Sequence, residues 1–406
     1  MRLAISVVVV LVCATGIILS QLEDNETEQV AGGQSTSIRV AAVQPRSRII
    51  DWRLNPQEVL REVDKTLEEF TAFVGRAGSD GCDLVVFPED TLGILHWEMG
   101  NKERLVEVLP EAVRRMLQRL GEAARSNDLY LACCSDTLDP DGGYRNTAFL
   151  LDRAGKEIGR YHKVHPALHE SDRKRGTSFP VFETPDLGGV GMLICYDMVM
   201  PESTRSLALG GADVILVHTL GGAVTGGNPD TENDNLNLAA FRTRAVDNFV
   251  YLVVSKRGNG SMIISAQGEV LATGQGPDDI AIADIEPFSG REGGDALNSQ
   301  LDMRARLFRE RNPLAYGVLV DTNPPGLDKI PATTKAEDAV RIGDATLTIG
   351  QERFAEAENL LEAGETSRAI RALKALRTDF PGTWIDRSAA RLLSELETTV
   401  PGQDAP

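Results

Sequence analysis

The chain has 406 residues, which is long enough for one large domain and a smaller one. Its composition, 42% hydrophobic and 25% charged, is that of an ordinary globular protein. The formal net charge of −18 repels phosphate backbones and anionic headgroups, and no cluster of Lys and Arg interleaved with aromatic residues offsets it. We therefore do not expect nucleic acid among the partners.

The N-terminal residues differ from the rest of the chain. Arg2 precedes an apolar run over residues 3–19, and one positive charge before such a run directs the downstream chain to export. Because the run is just inside the length range of a membrane span, residues 1–20 are predicted to be a signal peptide or a signal anchor. Residues 21–37 are polar and acidic, which predicts a disordered spacer. We expect an exported protein that is periplasmic, extracellular or anchored through residues 3–19 to the outer face of a membrane.

From residue 38 to about residue 284 short apolar runs alternate with helical patterns. Strands are predicted at 38–43, 83–87, 129–134, 147–151, 190–195, 214–217, 250–254 and 262–264, and helices at 54–76, 105–126 and 236–248. Several of the runs are apolar at nearly every residue, which indicates strands covered on both faces. The alternation predicts an α/β layered domain.

The composition changes after the predicted layered domain. Residues 317–334 contain three prolines and no periodic apolar pattern, which predicts a linker. Residues 335–398 have the pattern of three helices, and their spacing resembles a single tetratricopeptide hairpin. Because one such repeat cannot bury its own apolar face, we expect this tail to pack on the catalytic body, on a second subunit or on a protein partner. A packed extension without a recognition role is the alternative.

The five cysteines do not form a disulfide framework. Cys13 lies in the targeting segment, and Cys82, Cys133 and Cys134 are predicted to be small buried hydrophobes, the last two on opposite faces of one strand. Cys195 differs, because it ends a glycine-flanked apolar run and begins a polar stretch. A side chain at such a corner is fixed by the sheet yet exposed at its edge, as a nucleophilic sulfur requires.

Two further residues have similar settings. Glu89 follows a buried strand that Pro88 closes, and the carboxyl ends of strands are where α/β sheets build their sites. Lys163 lies among aromatic and histidine residues before a proline. Taken singly, each could be an ordinary loop residue, and a lone cysteine at the end of a strand is usually structural.

Taken together, these segments resemble the nitrilase superfamily of carbon–nitrogen hydrolases, from residue 38 to about residue 286. The matching motifs are Val40 to Gln44, Phe87-Pro88-Glu89, Tyr161-His162-Lys163-Val164-His165, Leu193-Ile194-Cys195-Tyr196-Asp197 with Pro201-Glu202, and Arg244 to Asn248. The resemblance implies a four-layer α-β-β-α sandwich over residues 38–316, followed by the small helical extension. It also implies a dimer or a larger homo-oligomer.

The resemblance implies a mechanism as well. Glu89 would act as general base, Cys195 would form a thioester, and Lys163 would stabilise the thiolate and the tetrahedral oxyanion. The backbone N–H near Tyr196 would assist at the oxyanion. Glu170, seven residues past Lys163, matches a second glutamate that positions the substrate. No metal or organic cofactor is required.

The sequence departs from the family pattern beside the cysteine. Cys195 is followed by Tyr196 and Asp197, as in amidase-like and carbamoylase-like branches, and not by the Trp-Glu of true nitrilases. The arginine that many members carry before the Pro-Glu is missing, and Arg205 and Arg173 are only weak replacements. The leading interpretation is a hydrolase of a small amide or ureide (N-carbamoyl) substrate. An N-acyltransferase using the same thioester and an inactive scaffold with a partner-binding tail are the alternatives.

Overall fold

The structure is a computed structural model that describes residues 37–46, 48–220, 234–287, 307–331 and 335–399. These residues belong to one compact unit, Ser37–Pro406. The predictions of a targeting segment at 1–20 and of nearly all of the spacer at 21–37 lie outside the described residues. In the part of the chain that is described, none of the helices has the length and apolar character needed to span a membrane.

Twelve strands are described, and they form two six-stranded sheets. The first sheet contains β1 (Ile38–Gln44), β2 (Leu84–Val86), β3 (Tyr130–Leu138), β4 (Tyr144–Leu151), β5 (Glu157–His162) and β12 (Asp279–Ile285), in the order β12-β1-β2-β3-β4-β5. The second contains β6 (Val181–Thr184), β7 (Gly188–Ile194), β8 (Val214–Thr219), β9 (Tyr251–Lys256), β10 (Met262–Ile264) and β11 (Val270–Thr273), in the order β11-β10-β9-β8-β7-β6. In each sheet three parallel strands are flanked by antiparallel ones, β1-β2-β3 in the first and β7-β8-β9 in the second.

The helices cover the outer faces of the sheets. They are α1 (Pro56–Ser79), α2 (Leu95–Gly100), α3 (Leu105–Ser126), α4 (Pro201–Leu209) and α5 (Asp234–Asn248). Successive residues of β1 alternate between two cores: Val40 and Ala42 pack between the sheets, whereas Ala41 and Val43 pack against α1 and α3. Residues of α4 and α5 pack on the far side of the second sheet. The predicted α-β-β-α sandwich is thereby confirmed.

Some strands are longer than the apolar runs predicted. β3 continues to Leu138 and β4 begins at Tyr144, because the polar ends of both strands pair, as in Asp136 opposite Asn146. The predicted strands do not include these residues, because the strand ends are polar. These polar ends lie beside the candidate site. Cys133 and Cys134 lie on opposite faces of β3, in the two different cores, as predicted.

The C-terminal part is helical and has a small core of its own. Its helices are α6 (Ala336–Ala345), a π-helical turn (Thr346–Gly350), α7 (Gln351–Glu362), α8 (Thr366–Asp379) and α9 (Trp384–Thr399). Phe354, Leu373, Leu376 and Ile385 are among the residues that form this core. The resemblance to a tetratricopeptide repeat stays a prediction. The region before it, 313–329, contains three short 3-10 turns with exposed side chains such as that of Leu314.

Candidate active site

Cys195 lies at the end of β7, where the chain turns from the sheet into a 3-10 helix, Cys195–Val199. Its φ of +46° is in the left-handed region, which non-glycine residues rarely adopt. Such a backbone persists only where the surroundings hold it, and it turns the side chain out at the edge of the sheet. Cys195 is partly exposed, whereas Cys82, Cys133 and Cys134 are buried.

Asp197 holds this corner in place from inside. Its fully buried carboxylate accepts hydrogen bonds from the Ile194 N–H at 3.1 Å and from the Tyr161 hydroxyl at 2.7 Å. It also accepts from the His165 N–H at 2.9 Å, and His165 Nδ1 lies 3.0 Å away. The carboxylate therefore joins the cysteine corner of the second sheet to the strand and loop that carry Lys163.

Glu89 comes directly after Pro88 at the carboxyl end of β2 and is almost fully buried. Its Oε1 accepts from Lys163 Nζ at 2.9 Å and from the Asn146 amide at 2.8 Å. Its Oε2 lies 3.3 Å from the Leu220 N–H, at the end of β8. One carboxylate is thus fixed by elements of both sheets.

Lys163 follows β5 and is 2% exposed, so its ammonium is removed from bulk water. Nζ donates to Glu89 and also to Glu170 Oε2, at 2.8 Å. Burial alone would lower the pKa of Lys163, but the Glu170 and Glu89 carboxylates outweigh burial and keep the pKa well above its ordinary value. The lysine backbone is held by Asn146 and Gly176, and a Cβ at Gly176 would lie 2.0 Å from the His162 carbonyl oxygen.

Glu170 ends a 3-10 turn, Leu168–Glu170, and its carboxylate points back to Lys163. The same Oε2 accepts from the Ala167 N–H at 2.9 Å, and Arg173 Nη1 lies 3.9 Å from Oε1. Burial would raise the pKa of Glu170, but the Lys163 and Arg173 cations lower it to about 2. Glu170 therefore stays ionised across the physiological range.

The pKa of the Cys195 thiol is raised, whereas that of Glu170 is lowered. Burial and, second, the Glu89 carboxylate raise the pKa of the thiol to about 12, although Lys163 and a hydrogen bond with the Thr219 side chain act to lower it. The resting sulfur is consequently protonated near neutral pH. A nucleophilic role then requires a base beside the thiol, and the Glu89 carboxylate interacts with the thiol more strongly than the Glu170 carboxylate does.

The structure brings four of the five predicted site residues together: Lys163 contacts Glu89 and Glu170 directly, and the charges of all three influence the pKa of the Cys195 thiol. Tyr196, the fifth, directly follows the cysteine, and its side chain is 37% exposed at the mouth of this corner. Across the described residues there is no group of three or more His, Cys, Asp or Glu side chains suited to a metal ion.

Of the two arginines considered as substitutes, Arg173 lies beside Glu170 but is engaged by buried carboxylates, and Arg205 lies elsewhere. Arg173 is buried and pairs with Asp136 at 2.8 Å, and Arg205 stacks over the ring of Phe308. The sequence did not predict Asn146 and Thr219 as neighbours of the site. It predicted no structural role for Asp197, which served only to distinguish amidase-like branches from true nitrilases. Asn146 lies in the polar end of β4, which the apolar-run criterion excluded.

The carbon-nitrogen hydrolase family model matches residues 39–292, which is more than half of the chain. The chain belongs to this family. A deaminated glutathione amidase of Synechocystis sp. (strain PCC 6803 / GT-S) is 27% identical over 249 residues, 55% of this chain and 86% of that protein. A nitrilase of Pyrococcus abyssi is 28% identical over 281 residues, 65% of this chain and 97% of that protein.

Solved structures of other carbon-nitrogen hydrolases have the same fold. The carbon-nitrogen hydrolase from Helicobacter pylori G27 is similar with a TM-score of 0.57 at 19% identity, over 70% of this chain and 98% of that one. A variant of the amidase from Nesterenkonia sp. AN1 has a TM-score of 0.52 at 22% identity, over 70% of this chain and 97% of that one. That crystal structure has the acetamide moiety of fluoroacetamide covalently added at the active site cysteine.

Proposed function

We propose that this carbon-nitrogen hydrolase cleaves a small linear amide or N-carbamoyl compound through a thioester on Cys195. The observation that carries the proposal is the buried ion cluster beside the thiol, in which Lys163 Nζ lies 2.9 Å from Glu89 and 2.8 Å from Glu170. The two carboxylates keep the pKa of the buried lysine well above its ordinary value, so the lysine stays charged in a desolvated cleft. It can therefore stabilise negative charge that develops next to it.

The first step forms the thioester. Glu89 takes the proton of the Cys195 thiol as the sulfur attacks the substrate carbonyl carbon, which breaks the C=O π bond and places the negative charge on oxygen. Lys163 and the Tyr196 backbone N–H stabilise this oxyanion. Collapse of the tetrahedral intermediate breaks the C–N bond, and the proton held by Glu89 leaves with the amine.

The second step releases the acid. Glu89 takes a proton from a water molecule that attacks the thioester carbonyl, and the thiolate leaves and is reprotonated. Glu170 keeps the charge of Lys163 balanced and positions the substrate in both steps. Because every bond change is a proton transfer or an acyl transfer, the proposed cycle uses neither a metal nor an organic cofactor.

The substrate class is supported by the residues around the cysteine and by the relatives. Tyr196 and Asp197 follow the cysteine as in amidase-like branches, and the buried Asp197 carboxylate organises that corner. Relatives include proteins named as amidases and one named as a nitrilase. An amide or a ureide is therefore favoured over a nitrile.

The test is a substrate screen with the purified full chain. Ammonia release is measured for short aliphatic amides, N-carbamoyl amino acids and nitriles, beside Cys195→Ala. We expect turnover of an amide or an N-carbamoyl substrate that the Ala variant lacks, and an acyl-Cys195 adduct by mass spectrometry. Equal rates in the two proteins would remove the cysteine from the mechanism, and a thioester that resolves only when an amine is added would indicate acyl transfer instead.

We also propose that residues 1–20 direct export and that the protein acts as a homo-oligomer. The charged start and the apolar run over residues 3–19 support export. Fractionation of producing cells, together with the N-terminal sequence of the recovered protein, separates a cleaved signal peptide from an anchor. Light scattering of the purified protein gives the oligomer size, and a monomer at assay concentration would contradict the second part.

A further inference from the structure

Helix α6 of the C-terminal part packs directly on the turn that carries Glu170. Gly343 is so close to His169 that a Cβ on the glycine would lie 2.6 Å from the His169 Cβ. Real Cβ atoms do not approach this closely, so an alanine at this position would displace the turn or the helix. His169 is the residue directly before Glu170, and the contact is therefore one peptide unit away from a side chain that holds Lys163.

An ion cluster fixes the same two elements to each other. Lys102 Nζ lies 2.5 Å from Asp172, two residues after Glu170, and 2.6 Å from Asp344 of α6. The Tyr144 hydroxyl donates to the same Asp172 oxygen at 2.6 Å. Lys102 thus bridges a carboxylate of the active-site loop and a carboxylate of the C-terminal helix, both of them partly buried.

The next helix is attached to the catalytic body as well. Glu352 of α7 accepts from the Trp52 indole N–H at 2.8 Å, and Gln351 Oε1 lies 2.5 Å from His96 Nε2 on α2. Several contacts from separate elements therefore hold the C-terminal helices against the side of the body where the Glu170 turn lies. A helix held at several points can hold that turn in one position.

We propose that helix α6 positions the Leu168–Glu170 turn, so that Gly343 and Lys102 are positioning residues for the Glu170 carboxylate and, through it, for Lys163. The proposal rests on the role of Glu170 and Lys163 in the proposed function. The turn is short, and the Glu170 carboxylate caps it through the Ala167 N–H, so the turn and the carboxylate move together.

A displaced turn has two opposite effects at Cys195. The charged or titratable side chains that act most strongly on Glu170 are Lys163, Arg173 and His169. When Glu170 moves away, Lys163 is less neutralised and lowers the pKa of the Cys195 thiol more strongly, while the raising effect of Glu170 itself weakens. Alkylation of the resting thiol then becomes faster. Hydrolysis becomes slower, because a displacement of about 1 Å costs an oriented site tenfold to a hundredfold in rate.

The test compares Gly343→Ala with Gly350→Ala in the full chain. Both glycines are helical residues of the C-terminal part, but a Cβ at Gly350 would meet Ile385 and Phe380 inside that part. Both substitutions raise helix propensity to a similar extent, so weakening of a helix is not the difference between them. Two rates are measured: kcat/KM for the amide found in the screen, and iodoacetamide alkylation of Cys195 followed by peptide mapping.

For Gly343→Ala we expect kcat/KM to fall at least tenfold and alkylation at pH 8 to rise about threefold, whereas Gly350→Ala stays within twofold of wild type in both. Lys102→Met repeats the Gly343→Ala pattern, and Lys102→Arg restores wild-type values because it keeps the bridging charge. Equal behaviour of the two glycine variants would overturn the proposal, and so would a Lys102→Met protein with wild-type rates.

The alkylation readout separates this proposal from the proposed function. If the wild-type chain hydrolyses none of the substrates, the proposed function fails, but a selective rise in alkylation with Gly343→Ala still supports the positioning role. If the wild-type chain is active and the alkylation rates of all variants are equal, the positioning role fails alone. Thermal unfolding of each variant is measured alongside. If the Gly343→Ala protein does not fold, the comparison of Lys102→Met with Lys102→Arg tests the positioning role instead.

Discussion

Replacement of Glu89 by glutamine has opposite expected effects on the two reactions of Cys195. The amide keeps the size of the side chain but removes the charge that raises the pKa of the thiol. Lys163 remains beside the sulfur and still lowers that pKa. The Glu89→Gln protein therefore holds more thiolate at rest than the wild type, although it lacks the base that an enzymatic turnover requires.

The size of the effect follows from the pKa of about 12 for Cys195. At pH 8 about one thiol in ten thousand is ionised at that pKa. Each pKa unit lost increases the thiolate tenfold, while the nucleophilicity of each thiolate falls about threefold, so the net gain is about threefold per unit. We therefore expect alkylation by iodoacetamide to rise, by about threefold for each pKa unit that the loss of the Glu89 charge removes. Hydrolysis should fall by about 10²- to 10⁴-fold, the usual contribution of a general base.

Both rates are measured on one preparation, with Glu68→Gln as the matched control. Glu68 is exposed on α1, so the same loss of one carboxylate should leave both rates unchanged. If Glu89→Gln slowed alkylation and hydrolysis by the same factor, the glutamate would be acting on the resting thiol as a base or through the fold. Hydrolysis at the wild-type rate would exclude it as the general base.

Three more substitutions test the surroundings of the thiol. Lys163→Met leaves two buried carboxylates without their shared cation, so unfolding in urea should show a loss of about 3–5 kcal/mol together with lost turnover. Asn146→Ala removes the buried amide that donates to Glu89, so kcat/KM should fall about 10- to 100-fold and urea unfolding should show a loss of about 1–3 kcal/mol. Asp197→Asn places an amide where several N–H donors converge, so urea unfolding should show a loss of about 2–4 kcal/mol, and an unchanged midpoint would refute the corner role.

The sequence predicts the fold and the central site because both depend on local patterns. Glu89 follows the apolar strand β2 and Pro88, and Cys195 directly follows β7, so each lies at the carboxyl end of a parallel strand, where α/β sheets build their sites. The two strands belong to different sheets. That Glu89 and Cys195 share one site is predicted only by the order of the motifs along the chain, because no single segment contains both residues. The local sequence gives weaker support for placing Lys163 in the site, because Lys163 follows an edge strand with only partial apolar alternation.

The residues that hold the site in place were not predictable in the same way. Asn146 lies in a polar strand end, and its contact with Glu89 depends on how β4 lies beside β2 across β3. The contact of Gly343 with His169 depends on where the C-terminal helices pack, and helical spacing reveals only which face is apolar. Such contacts are set by tertiary structure, and no local propensity encodes them.

Two buried carboxylates of one cluster should give opposite pH signatures. Glu170 has a pKa lowered to about 2, so its contribution to stability is present above the unfolded value of about 4.3 and is lost as the pH falls toward 2. Glu98 lies on the other side of Arg173, and burial together with the charge of Asp136 raises its pKa well above the ordinary value. Its contribution is therefore present below about 4.3 and is lost as the pH rises through the folded pKa.

Urea unfolding of Glu170→Gln and Glu98→Gln between pH 3 and pH 8 tests this contrast. The stability that Glu170→Gln loses relative to wild type should be largest near neutral pH and should shrink as the pH falls from 5 to 3. Glu98→Gln should equal wild type at pH 3 to 4 and become the more stable protein as the pH rises, because its amide has no charge to bury. Since Arg173 contacts both residues, parallel pH curves for the two variants would show that this arginine, and not the individual carboxylates, determines the titration of the cluster.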